Sequence, residues 1–202
     1  EIVQWDRPAL EARLALPTGH ELVVFDAHLR APLAAHIEGQ KLAPLVWQSS
    51  EGWAEGFFVA SLKRLGQALE LRRHVDRALD ADPEALVIVA GDLNCDLGSA
   101  SLRTLLAEVE DTGNPALEAR SLVEVAELVD AERRYTVLHR GRRLLLDHLL
   151  VSPALARCLV SAEILNAELG DEYEAPLAGP VTGSLHAPFV MELDLGRLGA
   201  RG

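Results

Sequence analysis

Leu86-Val87-Ile88-Val89-Ala90, followed at once by Gly91-Asp92-Leu93-Asn94, decides how this chain is read. A short, unbroken apolar run rich in β-branched residues predicts a strand covered on both faces, so the chain needs layers on either side of it. The run ends on an ionisable Asp and an amide. Burying an ionised carboxylate is costly unless a cation or hydrogen-bond donors meet it, so this strand tip is a candidate site.

Working upstream, Leu62, Leu65, Leu69, Val75 and Leu79 recur at helical spacing until Asp80-Ala81-Asp82-Pro83 stops the pattern. Residues 30–58, with Gly39, Pro44, Gly52 and Gly56, read as a long irregular connection. Leu10 to Leu16, a turn at Pro17-Thr18-Gly19-His20, and Leu22-Val23-Val24-Phe25 predict a hairpin, with His28 at the end of its second strand. Downstream, Leu102, Leu105, Leu106 and Val109 form an apolar stripe behind Ser99 or Ser101 as N-caps. Leu122, Val125 and Val129 suggest a second short helix. Tyr135 to His139 and Leu144 to Val151 flank Arg140-Gly141-Arg142-Arg143 as a hairpin with a basic tip. Residues 168–174 form an acidic loop and Ala187 to Leu195 a closing strand. The expectation is one domain over 1–202, α/β or α+β, with a mostly antiparallel sheet.

Composition narrows the function classes. The chain has 202 residues, 49% hydrophobic and 25% charged, which excludes disorder as its main description. No apolar run approaches the ~20 residues of a membrane span. The acidic start from Glu1 to Asp6 has no signal-peptide pattern, and two distant cysteines, Cys95 and Cys158, indicate neither a disulfide framework nor a zinc cluster; a cytoplasmic location is expected. A net charge of -12 argues against a nonspecific nucleic-acid coat. Basic clusters at 63–77 and 133–143 leave room for a phosphate-bearing substrate.

Polar groups recur at strand ends: His28, Asp92 with Asn94, Asp147 with His148, and His186. Their repetition suggests convergence on one site. Four segments resemble the endonuclease/exonuclease/phosphatase superfamily, the deoxyribonuclease-I-like group. They are Phe25-Asp26-Ala27-His28-Leu29-Arg30, Gly91-Asp92-Leu93-Asn94, Leu146-Asp147-His148-Leu149-Leu150-Val151-Ser152 and Ser184-Leu185-His186-Ala187-Pro188, in the family's order and over roughly residues 7 to 195. Arg73 matches the family's helix arginine.

The resemblance implies a four-layer sandwich of two mostly antiparallel sheets flanked by helices, and hydrolysis of phosphoesters with Mg²⁺ or Mn²⁺. In the family's scheme Asp92 orients or deprotonates the attacking water and is the metal-side ligand. Asn94 fixes substrate or metal geometry, Asp147 orients His186 on the scissile phosphate, and His28, Arg30 and Arg73 contact substrate phosphate. The substrate is a nucleic acid or a small phosphate ester, with net acidity leaning to the latter.

Two departures stand out. Leu185 occupies the position of a family Asp, and the family's first strands, with an Asn and a metal-ligating Glu, have no counterpart before Arg7-Pro8; Glu1 is not read as that Glu. The expectation is a C-terminal part of such a domain, its sheets completed by another segment or subunit, with weak Mg²⁺ binding and little turnover. The alternative is a non-catalytic member used for binding or assembly. Of the other residues, His148 is expected to pack beside the site, Cys95 to be a small buried hydrophobe, and His20, His36, His74 and His139 to be surface groups. The arginines of 133–143 are expected to form a solvated face, and Trp47, Trp53, Phe57 and Phe58 a satellite cluster or a stacking platform.

Overall fold

The computed structural model describes residues 5–180 and 182–198; Glu1 lies outside them. Its main sheet has five strands. The hairpin β1 (Leu10–Ala15) and β2 (Glu21–Asp26) is antiparallel, as alternation predicts, and β2 runs parallel to β5 (Leu86–Asp92). A parallel neighbour needs a crossover, here α1 (Ser50–Ala81). Antiparallel to β5 lies β9 (Asp147–Val151), edged by the short β6 (Val123–Glu124). A second sheet pairs β10 (Leu159–Ile164) with β11 (Phe189–Leu193), and two small hairpins pair β3 (Lys41–Ala43) with β4 (Val46–Trp47) and β7 (Val137–His139) with β8 (Arg142–Leu144).

Both faces of the central strand β5 are covered, which explains the unbroken apolar run at 86–90. On one face Val23, Phe25, Val87, Val89 and Leu150 pack against Leu71, Val75 and Leu79 of α1, and Leu102 and Leu105 of α2 (Ala100–Leu106). On the other, Leu22, Leu86, Ile88 and Val151 meet Ala162, Phe189 and Met191 of the second sheet. Sheet lies on sheet with helices on the outer face of the main sheet, a deoxyribonuclease-I-like arrangement; the expected fourth layer is not seen among the described residues, where Val160 and Val190 on the outer face of the second sheet are exposed. Among the described residues no helix is long and apolar enough to cross a membrane.

Three element predictions need correction. Helix α1 starts at Ser50, well before the helix read from leucine spacing; Ser49 caps it by accepting the Gly52 N–H at 3.0 Å. Glycines in its first turns disguise it, and they serve contact: a Cβ on Gly56 would lie 2.5 Å from the Ala35 carbonyl oxygen, whose own N–H donates to Gly56 O at 2.8 Å. The second short helix at 122–129 is instead strand β6 followed by a 3₁₀ turn over Val125–Leu128: Glu124 makes the last pair of the ladder, with Leu150, and its carboxylate caps the turn by accepting the Ala126 N–H. The late hairpin also divides. Leu144 pairs with Val137 in β8, and the chain then crosses to the main sheet as β9. Arg140 (φ 51°) and Gly141 (φ 73°) make its two-residue turn.

Candidate active site

The ladder itself creates the site. At the last rung of β5 and β9, Asp92 faces Asp147 directly. Like charges opposite each other in an antiparallel pair destabilise a sheet, so their pairing asks for a functional reason. Leu29 N–H donates to Asp92 O at 2.9 Å and brings the His28 loop to the same edge. The buried Thr136 hydroxyl accepts the N–H groups of both Leu146 and Asp147 at 3.1 Å, and Thr136 O accepts the Ala187 N–H, which lays the 184–188 segment beside β7. Gly91 (φ 125°) allows the approach, since a Cβ there would stand 2.1 Å from the Ala27 carbonyl oxygen.

Side chains then converge. His186 Nδ1 is 2.8 Å from Asp147 Oδ2, and His28 Nε2 is 3.6 Å from Asp92 Oδ2. Asn94, in the left-handed region at φ 50°, donates from its backbone N–H to Asp92 Oδ1 and from its amide to Leu29 O, each at 3.0 Å. One ligand atom from each of Asp92, Asp147 and His186 lies within 4.8 Å of the others. Burial raises the Asp92 carboxyl above its usual range, helped by the Asp147 charge and opposed by His28. The hydrogen bond to Asp147 raises the His186 imidazole against its partial burial.

A cleft of about 720 Å³ opens over this cluster, lined by Asp92, Asn94 and His186. Asp147 sits against it through His186. His28 and Arg30 border a smaller adjoining hollow with Arg7 and Gln67. The guanidinium of Arg30 reaches Asp6 at 3.3 Å, its Nε is buried without a partner, and its backbone N–H donates to Gln67 Oε1. Arg73 does not join them. It is exposed on α1, nine residues beyond the cleft-lining Arg64 and so roughly 13 Å further along the helix axis. Its neighbour Arg72 points inward but is structural, donating to Leu105 O and Arg120 O.

Among the cleft residues that sequence reading missed are two that bond each other. His139, read as a surface group, lines the cleft with its Nδ1 2.6 Å from Glu172 Oε1. It ends strand β7, so the rule that selected the other polar strand tips would have found it. Glu172 lies in the acidic loop, where composition gives no address. His20 is also buried rather than exposed, held near Thr18. His148 and Cys95 are buried as expected. The tip arginines are exposed as expected, Arg140 over the Tyr173 ring at 4.0 Å and Arg143 over Tyr135 at 4.9 Å.

Asp171 ties this hairpin to the Glu172 loop. The Gly141 N–H at 2.7 Å is the largest of several backbone donors that hold its carboxyl down at about 2. The tie is therefore complete above the unfolded carboxyl value of 3.8 and is lost as pH falls through about 2. The Gly141 amide resonance should titrate near pH 2; a midpoint near that of a free carboxyl would contradict the contact.

Two packed sheets, helices against the outer face of the larger one and a polar cluster at the strand tips mark the deoxyribonuclease-I-like class. The chain belongs to the endonuclease/exonuclease/phosphatase family, which residues 34–167 match. That span holds Asp92, Asn94 and Asp147; His28 and His186 fall outside it. No curated protein sequence matches the chain. Among solved structures it is similar to an AP endonuclease from Archaeoglobus fulgidus (14% identity, TM-score 0.53, covering 91% of this chain and 65% of that one). It is also similar to the 3' phosphatase NExo from Neisseria bound to product DNA hairpin (17%, TM-score 0.51, 86% and 61%). A third is an endonuclease/exonuclease/phosphatase family protein from Bacteroides thetaiotaomicron (17%, TM-score 0.50, 92% and 53%). The chain thus spans less than two thirds of each of these structures.

Proposed function

We propose that this chain carries the cleft of a divalent-metal-dependent phosphoesterase, acting as a single domain. The observation that carries the reading is the Asp92–Asp147 rung with His186 hydrogen-bonded to it, a pairing that costs sheet stability and makes chemical sense at a phosphate site. The donor set fits a hard divalent ion: Asp92 and Asp147 offer carboxylate oxygens, while His186, its Nδ1 engaged by Asp147, stands beside them as a hydrogen-bond donor and not as a ligand. Bound there, the ion would neutralise charge on the phosphoryl oxygens.

The protein groups divide the remaining work. Asp92, ionised above its raised pKa, orients a water for attack and takes its proton. Asp147 holds His186 in one tautomer through Nδ1 and keeps it protonated to higher pH, so that Nε2–H can donate to a phosphoryl oxygen. Asn94 supplies an amide and braces Asp92 from its backbone, while His28 and Arg30 place a second phosphate contact beside the cleft. Turnover is expected to rise as Asp92 ionises and to fall as His186 loses its proton.

The test is titration of Mn²⁺ and Mg²⁺ while following the side-chain resonances of Asp92, Asp147 and His186, with hydrolysis of a phosphomonoester and a phosphodiester measured alongside. The reading expects these three signals to move first and hydrolysis to require the ion. Hydrolysis that persists in chelator, or metal perturbation confined to other acids, would overturn it. One observation favours the second reading, a non-catalytic binding member: Leu185 offers no ligand and packs near Gly170. Metal binding with no hydrolysis of either ester, unchanged by Leu185→Asp, would select that reading.

A further inference from the structure

The cleft over Asp92 has an apolar wall that runs out to the surface. Leu33, Phe58, Leu62 and Leu65 form it on one side, and Leu144 and Leu146 face them. Phe58 and Leu62 are 60% and 51% exposed, an unusual position for such side chains unless something apolar is to cover them. Trp53 and Phe57, stacked with centroids 5.4 Å apart, form a second exposed apolar pair on α1, outside the cleft lining.

Charge is distributed the other way. Asp92, Asp96 and Glu172 line the cleft, whereas Arg64 is its only Lys or Arg among the described residues. That guanidinium is half-buried and donates to Arg30 O at 3.1 Å. At the rim Arg140 lies on Tyr173, and Arg143 on Tyr135 with Glu132 at 3.1 Å. A polynucleotide is held by a row of cations, each neutralising a phosphate, and this cleft does not offer one. A hydrocarbon wall with a few converging polar groups is what a small ester with an apolar group requires.

We infer that the site takes a phosphoester whose organic group is uncharged and apolar, aryl or alkyl, with the phosphoryl group at Asp92 and His186 and the hydrocarbon against Phe58 and Leu62. This rests on the phosphoesterase reading and narrows its substrate. The experiment is calorimetric titration of the chain in Mg²⁺ with phenyl phosphate, butyl phosphate, inorganic phosphate and a short oligothymidylate. Both organic phosphates should bind roughly 10-fold more tightly than inorganic phosphate, the gain that burial of about 60 Å² of apolar surface supplies. The paired change Phe58→Ser and Leu62→Ser, on exposed positions outside the core, should bring phenyl phosphate towards the affinity of inorganic phosphate. Equal affinities for organic and inorganic phosphate, or a preference for the oligonucleotide with steep salt dependence, would overturn the apolar-ester inference and leave the phosphoesterase standing. Failure of every phosphate probe to bind would overturn both.

Discussion

Asp147→Asn is expected to reduce turnover by roughly 10³- to 10⁴-fold, the loss seen when the carboxylate orienting a catalytic histidine becomes an amide. The reason is that one side chain holds two others. Its bond to His186 Nδ1 is the largest cause of that imidazole's raised pKa, and its charge is the second cause, after burial, of the raised Asp92 carboxyl. Both groups should therefore titrate lower in the variant. The sign for stability follows. In the native chain His186 contributes stability that is complete below the unfolded imidazole value of 6.5 and is lost as pH rises through its higher folded value. In Asp147→Asn that dependence should shrink. Proton NMR of the His186 ring reads this without any assay of catalysis, and an unmoved titration would show that Asp147 does not govern the site.

The second large effect lies behind the cleft. Glu124→Ala should destabilise the fold by about 3–5 kcal/mol, because it strands a buried histidine. His148 and Glu124 are both buried; Nδ1 of His148 stands 2.6 Å from Glu124 Oε2 and Nε2 is 2.8 Å from the Cys95 carbonyl. Two acceptors on one ring require the imidazolium. Burial lowers its pKa, and the Glu124 hydrogen bond and charge more than offset this, so the folded value lies above the ordinary one. The pair's contribution is complete below the unfolded imidazole pKa of about 6.5 and fades as pH rises through the folded value. Denaturant midpoints at pH 6 and pH 9 should differ in the native chain and converge in Glu124→Ala. The double change Glu124→Leu with His148→Leu should recover much of the loss, since two apolar side chains leave no stranded charge. A single variant losing under about 1 kcal/mol would mean the pair is not ionised.

How far these features were legible depends on how local their causes are. Strand β5, the β1–β2 hairpin and the Ser99-capped α2 are written in adjacent residues, so alternation, apolar continuity and capping reveal them. The rung joining Asp92 to Asp147 depends on register between strands 55 positions apart, which no periodicity encodes; only motif order pointed to it. Helix α1 was hidden at its start because Gly52 and Gly56 look like loop residues until the 31–40 segment is seen lying against them. Arg73 and Arg72 illustrate the limit for side chains. One position of helical rotation separates an inward structural arginine from an exposed one, and sequence spacing does not state which face the sheet will take. The Glu172–His139 contact joins a loop to a strand end, a long-range event with no local signature.

The facing carboxylates on the last rung also set how this chain responds to selection. A screen for heat resistance alone would favour replacing one of them with threonine or valine, since mutual repulsion and desolvation would vanish together. Purely robust descendants would thus drift towards inert scaffolds, and persistence of both acids among relatives would record a continuing demand for reactivity.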